Sequence, residues 1–440
     1  MKYANVMTDI PGPLSKSLLE EWGSFEAKKV GYQAQIAVDH GLGAMLYDVD
    51  GNAFIDWTSG VLVTNLGHSH PELTSELNRV TAQVLNVYEF CTPYRVKAAK
   101  DLVGISPEQL DRCFFLSTGS EATDLAVRLM RKVTGKFEIL SFFGGFHGRT
   151  ISTASFGGLP KIKKGLGPSL PGIIRAPYPY CYRCPFQQKP DKCAFLCLEF
   201  MDDVVKANSS DSMAGLIVEP YQGSAGFIFP PKGYLPLLEK WARDENILFT
   251  LDEVQSSFGR TGKMWASEHE KLKPDLVSVG KGIGNGAVIS SLLFNSAKVE
   301  TSLSIGDLGS TYGGNPVSCV AVSTVIRIFK QEKILENVQR IERIIASRLP
   351  RLLEISDYVG DIRGMGMVWG IELVKNKVTK EPAPQLLRKL IDACCRKGLL
   401  IGGVGIHGNV VRVAPPLVIT EDQMNESIEI LESCLKDMKV

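Results

Sequence analysis

A single lysine lies among glycines in the stretch VSVGKGIGNG, residues 277–286. A lysine in such a turn can hold a phosphate as a cation, or it can act as an amine nucleophile. A phosphate-binding loop of the GxxxxGK[ST] type would have Ser or Thr after the lysine, whereas Gly282 follows Lys281 here. A nucleophilic lysine needs a tight turn with small neighbours, so that a planar cofactor can approach. The glycine pattern favours this second chemistry.

An acidic pair, Asp252 and Glu253, ends the apolar stretch ILFTLDEV. A carboxylate at the end of a buried strand is costly unless a cation meets it. Lys281 comes at the end of the next predicted strand, PDLVSVGKG. Because ligands of open parallel sheets bind outside the carboxyl ends of the strands, we expect Asp252 and Lys281 to lie close together at one edge of a sheet.

The stretch STGSEATD, residues 117–124, follows the predicted strand RCFFL and begins a predicted helix. Backbone N–H groups and hydroxyls at a helix N-terminus form an anion site. The alternative is an ordinary capped helix, with Glu121 and Asp124 placed to suit the helix dipole. Taken alone, the stretch favours the ordinary cap.

Four cysteines, Cys181, Cys184, Cys193 and Cys197, lie in CYRCPFQQKPDKCAFLC. A CxxC pair followed by a second pair could hold zinc. The second pair is CxxxC on a predicted short helix, so we predict structural thiols and no metal site. A metal- or redox-sensing protein built on these cysteines remains a less favoured alternative. In LGHSHPEL, the two histidines at 68 and 70 are expected to cap or pack.

Strand and helix patterns alternate along most of the chain, which predicts an α/β fold with a mostly parallel sheet and helices on both faces. The segment MLYDVDGNAFID predicts a hairpin with its turn at Asp50-Gly51. We expect a large domain over residues 62–330. A smaller α/β domain is expected to combine residues 1–61 with residues 331–440.

Composition limits the partners of the 440-residue chain. Its formal net charge of +1 gives no electrostatic reason to bind nucleic acid or an anionic membrane. No apolar run opens the sequence, and no window resembles a membrane-spanning helix. We therefore predict a cytoplasmic protein with no nucleic-acid or membrane partner.

Several stretches together carry a family resemblance that covers nearly the whole chain. They are, in order, DVDGNAFIDWTSG, LGHSHPEL, STGSEATD, GGFHGRT, VEPYQG, the run from Leu251 to Gly286, STYGGNP and VVRVAPPL. This ordered set resembles the class III (omega-type) pyridoxal-phosphate-dependent aminotransferases. The resemblance implies fold type I, the aspartate-aminotransferase fold, and the cofactor pyridoxal 5'-phosphate (PLP).

The resemblance also implies roles for individual residues. Lys281 would form a Schiff base with PLP and move the proton of the reaction, and Asp252 would pair with the pyridine nitrogen. Further residues would bind the cofactor: Gly119 and Ser120 at its phosphate, Phe146 and Val254 on the two ring faces, Gln255 near the ring hydroxyl, and Thr311 at the phosphate of the neighbouring subunit. The last of these implies a homodimer with shared active sites.

The substrate residues depart in part from the family pattern. Arg412 in VVRVAPPL would bind a substrate carboxylate as a bidentate fork. Many members carry Glu where this chain has Ser224, and that Glu neutralises the arginine; a serine leaves Arg412 open to an alpha-carboxylate. The decarboxylating branch has Gln where this chain has Val61, which disfavours decarboxylation.

The predicted activity is therefore transfer of an amino group from an amino acid or primary amine to a 2-oxo acid, 2-oxoglutarate or pyruvate, with ping-pong kinetics. An amino-acid racemase or epimerase on the same fold is the alternative. It would need a second proton donor opposite Lys281, which the sequence does not identify.

Overall fold

The computed structural model describes residues 2–27, 31 and 33–438. Its helices are α1 (Pro13–Phe25), α2 (Ser59–Leu62), α3 (Pro71–Thr81), α4 (Pro93–Val103), α5 (Gly119–Thr134), α6 (Ile151–Phe156), α7 (Pro160–Lys163), α8 (Leu196–Asn208), α9 (Tyr234–Asp244), α10 (Ser296–Val299), α11 (Pro316–Gln331), α12 (Ile334–Arg348), α13 (Leu352–Ile355), α14 (Pro384–Arg396) and α15 (Glu421–Asp437). Its strands are β1 (Val38–Leu42), β2 (Met45–Asp48), β3 (Ala53–Asp56), β4 (Arg112–Leu116), β5 (Glu138–Phe142), β6 (Ile173–Ala176), β7 (Met213–Val218), β8 (Leu248–Asp252), β9 (Leu276–Val279), β10 (Ser290–Phe294), β11 (Val359–Met365), β12 (Val368–Leu373), β13 (Leu399–Leu400), β14 (Gly402–Val404) and β15 (Val410–Val413).

The described chain divides into two compact units, residues 72–331 and residues 1–71 with 332–440. The first unit contains a seven-stranded sheet in the order β4-β10-β9-β8-β7-β5-β6. Neighbours from β9 to β6 pair in parallel, and β10 is antiparallel to both β9 and β4. The predicted α/β fold with a mostly parallel sheet is confirmed.

Helix α5 covers part of this sheet with one apolar face. Its buried residues include Ala122, Leu125, Ala126, Leu129 and Met130, the three- and four-residue spacing of an amphipathic helix. They belong to a core cluster that also contains side chains of β5, β7, β9 and β10. The helix ends where its C-cap glycine adopts a left-handed φ of 67°. The N-terminus of α5 is thereby held rigidly against the sheet.

The second unit contains two smaller sheets. One has the order β1-β2-β3-β13, and its β2–β3 hairpin turns at Gly51 with a φ of +83°, as the Asp-Gly signal predicted. The other is antiparallel, in the order β11-β12-β15-β14. Helix α15 contacts both α12 and α14, and α14 packs on strands of both sheets. Within the described ranges, we find no helix with the length and apolarity that a membrane crossing requires.

Candidate active site

Lys281 and Asp252 are brought together by the pairing of two parallel strands. Asp252 is the last residue of β8 and pairs with Ser278 of β9. Lys281 follows β9 directly, in a short 3₁₀ turn. Its φ of +50° is in the left-handed region, which is strained for a residue with a side chain. The expectation that the two residues share one sheet edge is confirmed.

A cavity of about 240 Å³ opens at this edge of the sheet. The predicted cofactor and substrate residues that line it are Gly119, Ser120, Phe146, Ser224, Asp252, Val254, Gln255 and Lys281. They come from the N-terminus of α5, from the loops after β5 and β7, and from the ends of β8 and β9. This is the position outside the carboxyl ends of parallel strands where ligands of such sheets bind.

His147 contacts the carboxylate of Asp252. The Nδ1 atom of His147 lies 2.8 Å from Oδ2 of Asp252, and the two side chains are 1% and 5% exposed. The backbone N–H of Val254 donates to the other carboxylate oxygen at 3.1 Å. These two contacts leave the carboxylate little rotational freedom, so that it presents a fixed acceptor to the cavity.

Glu219 connects two of the loops around the cavity. Its Oε1 accepts the N–H of Phe146 at 2.9 Å, and its Oε2 accepts the N–H of Gly223 at 3.0 Å. Burial raises the pKa of Glu219 to about 7; the charge of Asp252 adds to the rise, while His147 and the two N–H donors oppose it. The carboxyl group thus ties the loop of Phe146 to the loop of Ser224.

The N-terminus of α5 offers donors to an anion. Thr118 caps the helix by accepting from the N–H of Glu121, and Glu121 in return accepts the N–H of Ser117 and Thr118. The Ser120 hydroxyl accepts the N–H of Arg149 at 3.3 Å and keeps its own hydrogen to donate. The ordinary cap predicted for STGSEATD is confirmed, and the first turn of the helix also lines the cavity, where its donors could meet an anion.

Two of the glycines around Lys281 are required by the backbone of the turn itself. A Cβ on Gly284 would lie 2.4 Å from the backbone oxygen of Ala287, and Gly286 has a φ of +108°. A side chain at either position would therefore distort the turn. Gly119 is a close-packed glycine at the cavity, where a Cβ would lie 2.8 Å from Cγ1 of Val254.

The chemistry of the cavity fits PLP. A ring nitrogen that carries a proton requires a fixed carboxylate, and a phosphate requires helix N-terminal donors; Asp252 and the first turn of α5 meet those needs. Among the described residues, Oε1 of Gln255 is buried with no hydrogen-bond partner, although Gln255 lines the cavity. A buried unpaired acceptor is costly, and a ligand hydroxyl would satisfy it.

Two predicted residues lie outside this cavity. Thr311 lines a second cavity of about 470 Å³, together with Ser310 and Tyr312. Arg412 lies on β15, in the unit formed by residues 1–71 and 332–440. Its side chain is 4% exposed, and within the described residues its Nε atom has no hydrogen-bond partner. An arginine buried in this way retains donors for an anion.

The four clustered cysteines line a small cavity of about 20 Å³. They are free thiols of intermediate exposure. Burial raises the pKa of Cys181 and Cys197 to about 11, and neighbouring thiols of the cluster add to both shifts. Across residues 2–27, 31 and 33–438, no three His, Cys, Asp or Glu side chains are arranged to hold a metal ion.

Sequence reasoning missed two residues of the site, His147 and Glu219. Both lie in stretches that carried the family resemblance, GGFHGRT and VEPYQG. Glu219 follows β7 directly, so the same strand-end rule that selected Asp252 could have selected it. His147 lies in an irregular loop, and no local pattern in the sequence indicates that it faces Asp252.

Comparisons with known proteins agree with this arrangement. Residues 27–435 match the family model for class III aminotransferases. A 4-aminobutyrate aminotransferase from Mycobacterium tuberculosis is 35% identical over 445 residues, 98% of each chain. An alanine/serine racemase from Pyrococcus horikoshii is 31% identical over 99% of this chain and 94% of its own. An amine transaminase from an uncultivated Pseudomonas species, solved with PLP bound, superposes with a TM-score of 0.86 at 26% identity, covering 91% of this chain and 94% of its own.

Proposed function

The chain belongs to the class III aminotransferases, which are PLP-dependent enzymes. On this premise we propose a role for each residue of the site. The enzyme transfers an amino group from an amino acid or primary amine to 2-oxoglutarate or pyruvate, in two half-reactions with ping-pong kinetics. The observation that carries the proposal is the pairing of Asp252 with Ser278, which places the carboxylate and Lys281 in one cavity.

Lys281 supplies the amine that holds the cofactor and then carries a proton to and from the substrate carbon. Asp252 would accept a hydrogen bond from the protonated ring nitrogen of the bound cofactor. The N–H groups and hydroxyl of Gly119 and Ser120 bind the phosphate. Bound PLP supplies an electron-withdrawing ring, which stabilises negative charge at the substrate carbon.

Three further side chains orient the ring. Phe146 and Val254 would pack against the ring, and the Gln255 amide would pair with a ring hydroxyl. The position of Phe146 depends on Glu219, which accepts its backbone N–H. Because the strength of an aromatic contact depends on the orientation of the two rings, the link to Glu219 would support cofactor binding indirectly.

Arg412 binds the carboxylate of amino-acid donors and 2-oxo acids. Ser224 carries no charge and cannot neutralise an arginine, so alpha-amino acids are the preferred class of donor. Neither residue identifies an individual donor. A screen of amino acids and primary amines, each with pyruvate and with 2-oxoglutarate, would define the pair that this enzyme uses.

We also propose a homodimer with shared active sites, in which Thr311 reaches the phosphate bound by the neighbouring subunit. The proposed location of the enzyme is the cytoplasm. Mixed dimers test the sharing. Lys281→Ala and Thr311→Ala protomers are each expected to be impaired alone. If sites are shared, a mixed dimer contains one site free of both changes and regains part of the activity, whereas unshared sites regain none.

The central assignment is tested by reconstitution with PLP. The wild-type protein is expected to absorb in the visible, and Lys281→Ala is expected to lose both that band and turnover. Lys240→Ala, on the surface of α9, is the matched control and keeps both. A reconstituted wild type without a visible band would overturn the assignment of Lys281.

Racemisation is the second candidate, because relatives named as racemases match almost the full chain at 31% identity. Incubation with one L-amino acid and no 2-oxo acid separates the two activities. A transaminase stops after one half-reaction and leaves the optical rotation of the remaining substrate unchanged, whereas a racemase removes it.

A further inference from the structure

Arg412 is a buried cation in the unit formed by residues 1–71 and 332–440. Its side chain is 4% exposed, and burial lowers its pKa from the ordinary value for arginine. Burying a charge is unfavourable unless an opposite charge compensates it. The question is therefore which group compensates Arg412 before a substrate carboxylate arrives.

The guanidinium is held against the backbone of the neighbouring strand. Gly402 of β14 pairs with Arg412 of β15, and a Cβ on Gly402 would lie 2.4 Å from an Nη atom of Arg412. Only a glycine leaves room for the arginine in this position. The direction of the guanidinium is thus set by the sheet, and it needs no ion pair to orient it.

Asp56 lies at the end of β3 and is completely buried. One carboxylate oxygen accepts the N–H of Thr58 at 2.6 Å, and the other lies 2.9 Å from Nε2 of His68. These contacts fix the carboxylate in place. They also explain His68, which the sequence predicted to cap or pack.

The segments that carry Asp56 and Arg412 run side by side. The N–H of Ala414 donates to the carbonyl of Trp57 at 3.0 Å, and the Ser59 hydroxyl donates to the carbonyl of Ala414 at 2.7 Å. Asp56 opposes the effect of burial on Arg412 by raising its pKa through charge attraction, with no hydrogen bond between the two side chains. The positive charge of the guanidinium is compensated without a hydrogen bond to Asp56, so its N–H donors stay available to a substrate carboxylate.

We propose that Asp56 is the built-in counter-charge of Arg412 and that it sets how strongly this arginine binds substrate carboxylates. Asp56 stabilises the buried cation when no carboxylate is present, and it repels a carboxylate that approaches the same cation. Substrates with and without a carboxylate can then alternate in the two half-reactions. The inference rests on the proposed role of Arg412, and Asp56 acts as a positioning residue that does not touch the substrate.

The test compares two amino acceptors of equal chain length, pyruvate and propanal. In Asp56→Asn the shape and the acceptor for the Thr58 N–H are kept, but the charge is lost. The KM for pyruvate is expected to fall roughly three- to tenfold, because the repulsion is removed. The KM for propanal, which has no carboxylate, is expected to stay within about twofold, and a purely structural role would move both constants together.

Asp48→Asn is the matched control, a second buried aspartate of the same unit that does not act on the charge of Arg412. It is expected to leave the ratio of the two KM values unchanged. An unchanged or raised pyruvate KM in Asp56→Asn, or a parallel change for both acceptors, would overturn the inference.

If the proposed transaminase function were wrong, the outcome would differ from a failure of the Asp56 inference. A wild-type enzyme that aminates none of pyruvate, propanal and 2-oxoglutarate would contradict the transaminase assignment before any variant is made. If Arg412→Gln leaves the pyruvate KM unchanged, the carboxylate role of Arg412 is wrong while transamination stands.

Discussion

Nδ1 of His147 lies 2.8 Å from Oδ2 of Asp252, and both side chains are almost fully buried. A buried hydrogen-bonded pair of this kind acts as one unit, because removing either partner leaves the other unsatisfied. Asp252 directs its charge into the cavity of Lys281, so the imidazole is expected to influence the cofactor through the carboxylate.

His147→Gln tests this coupling. An amide is a poorer partner for the carboxylate than an imidazole held at Nδ1, and we expect a loss of about 1–3 kcal/mol, or roughly 5- to 150-fold in kcat. The wavelength of the visible band is expected to shift as well. His269→Gln, which alters a histidine bonded to Thr261 outside the cavity, is the control. Equal losses in the two variants would contradict a role for His147 at Asp252.

The raised pKa of Glu219 predicts that the stability of the folded protein depends on pH. Its pKa is raised from 4.5 to about 7 by burial, so the folded protein binds more protons than the unfolded chain between these values. Stability is therefore expected to fall as pH rises from about 4.5 to 7, by up to about 3 kcal/mol from this group. Chemical denaturation at several pH values should show a weaker decline in Glu219→Gln.

Glu138 serves as a control for Glu219, because its pKa is shifted in the opposite direction. Burial raises its pKa, but hydrogen bonds from Ser209 and Ser210 outweigh burial, and the net shift is downward. Glu138→Gln should remove stability that is present above the unfolded pKa and is lost as pH falls. If Glu219→Gln changed the pH profile in the same direction as Glu138→Gln, the proposed protonation of Glu219 would be wrong.

Gly119→Ala is expected to weaken PLP binding by pushing Val254 toward the ring. The added Cβ would lie 2.8 Å from Cγ1 of Val254, and overpacking of this kind costs about 1–3 kcal/mol. Titration of the apoprotein with PLP measures the effect. The double variant Gly119→Ala/Val254→Ala relieves the contact and should recover part of the affinity, whereas an additive loss would argue against this cause.

The clustered thiols are expected to react slowly with alkylating reagents. With a pKa of about 11, Cys181 and Cys197 are deprotonated in only about 1 in 3000 molecules at pH 7.5, and the thiolate is the nucleophile. Exposed Cys91 should be labelled first by iodoacetamide. Peptide mapping by mass spectrometry would show the order, and rapid labelling of Cys181 at neutral pH would contradict it.

The sequence by itself determined the class of fold and the closeness of Asp252 to Lys281 at one edge of the sheet. These features follow from local rules: apolar strands alternate with amphipathic helices, and neighbouring parallel strands end at the same edge of their sheet. The capped start of α5 is likewise readable, because capping depends on residues within one turn.

Only the tertiary structure decided which buried groups face one another. His147 meets Asp252 across 105 positions of sequence, and Ala414 binds Trp57 beside Asp56. Only the folded turn shows why VSVGKGIGNG needs a glycine at position 284, where a Cβ would collide with the backbone of Ala287. Burial and charge compensation depend on neighbours that are distant in the chain, and no local pattern of residue types records them.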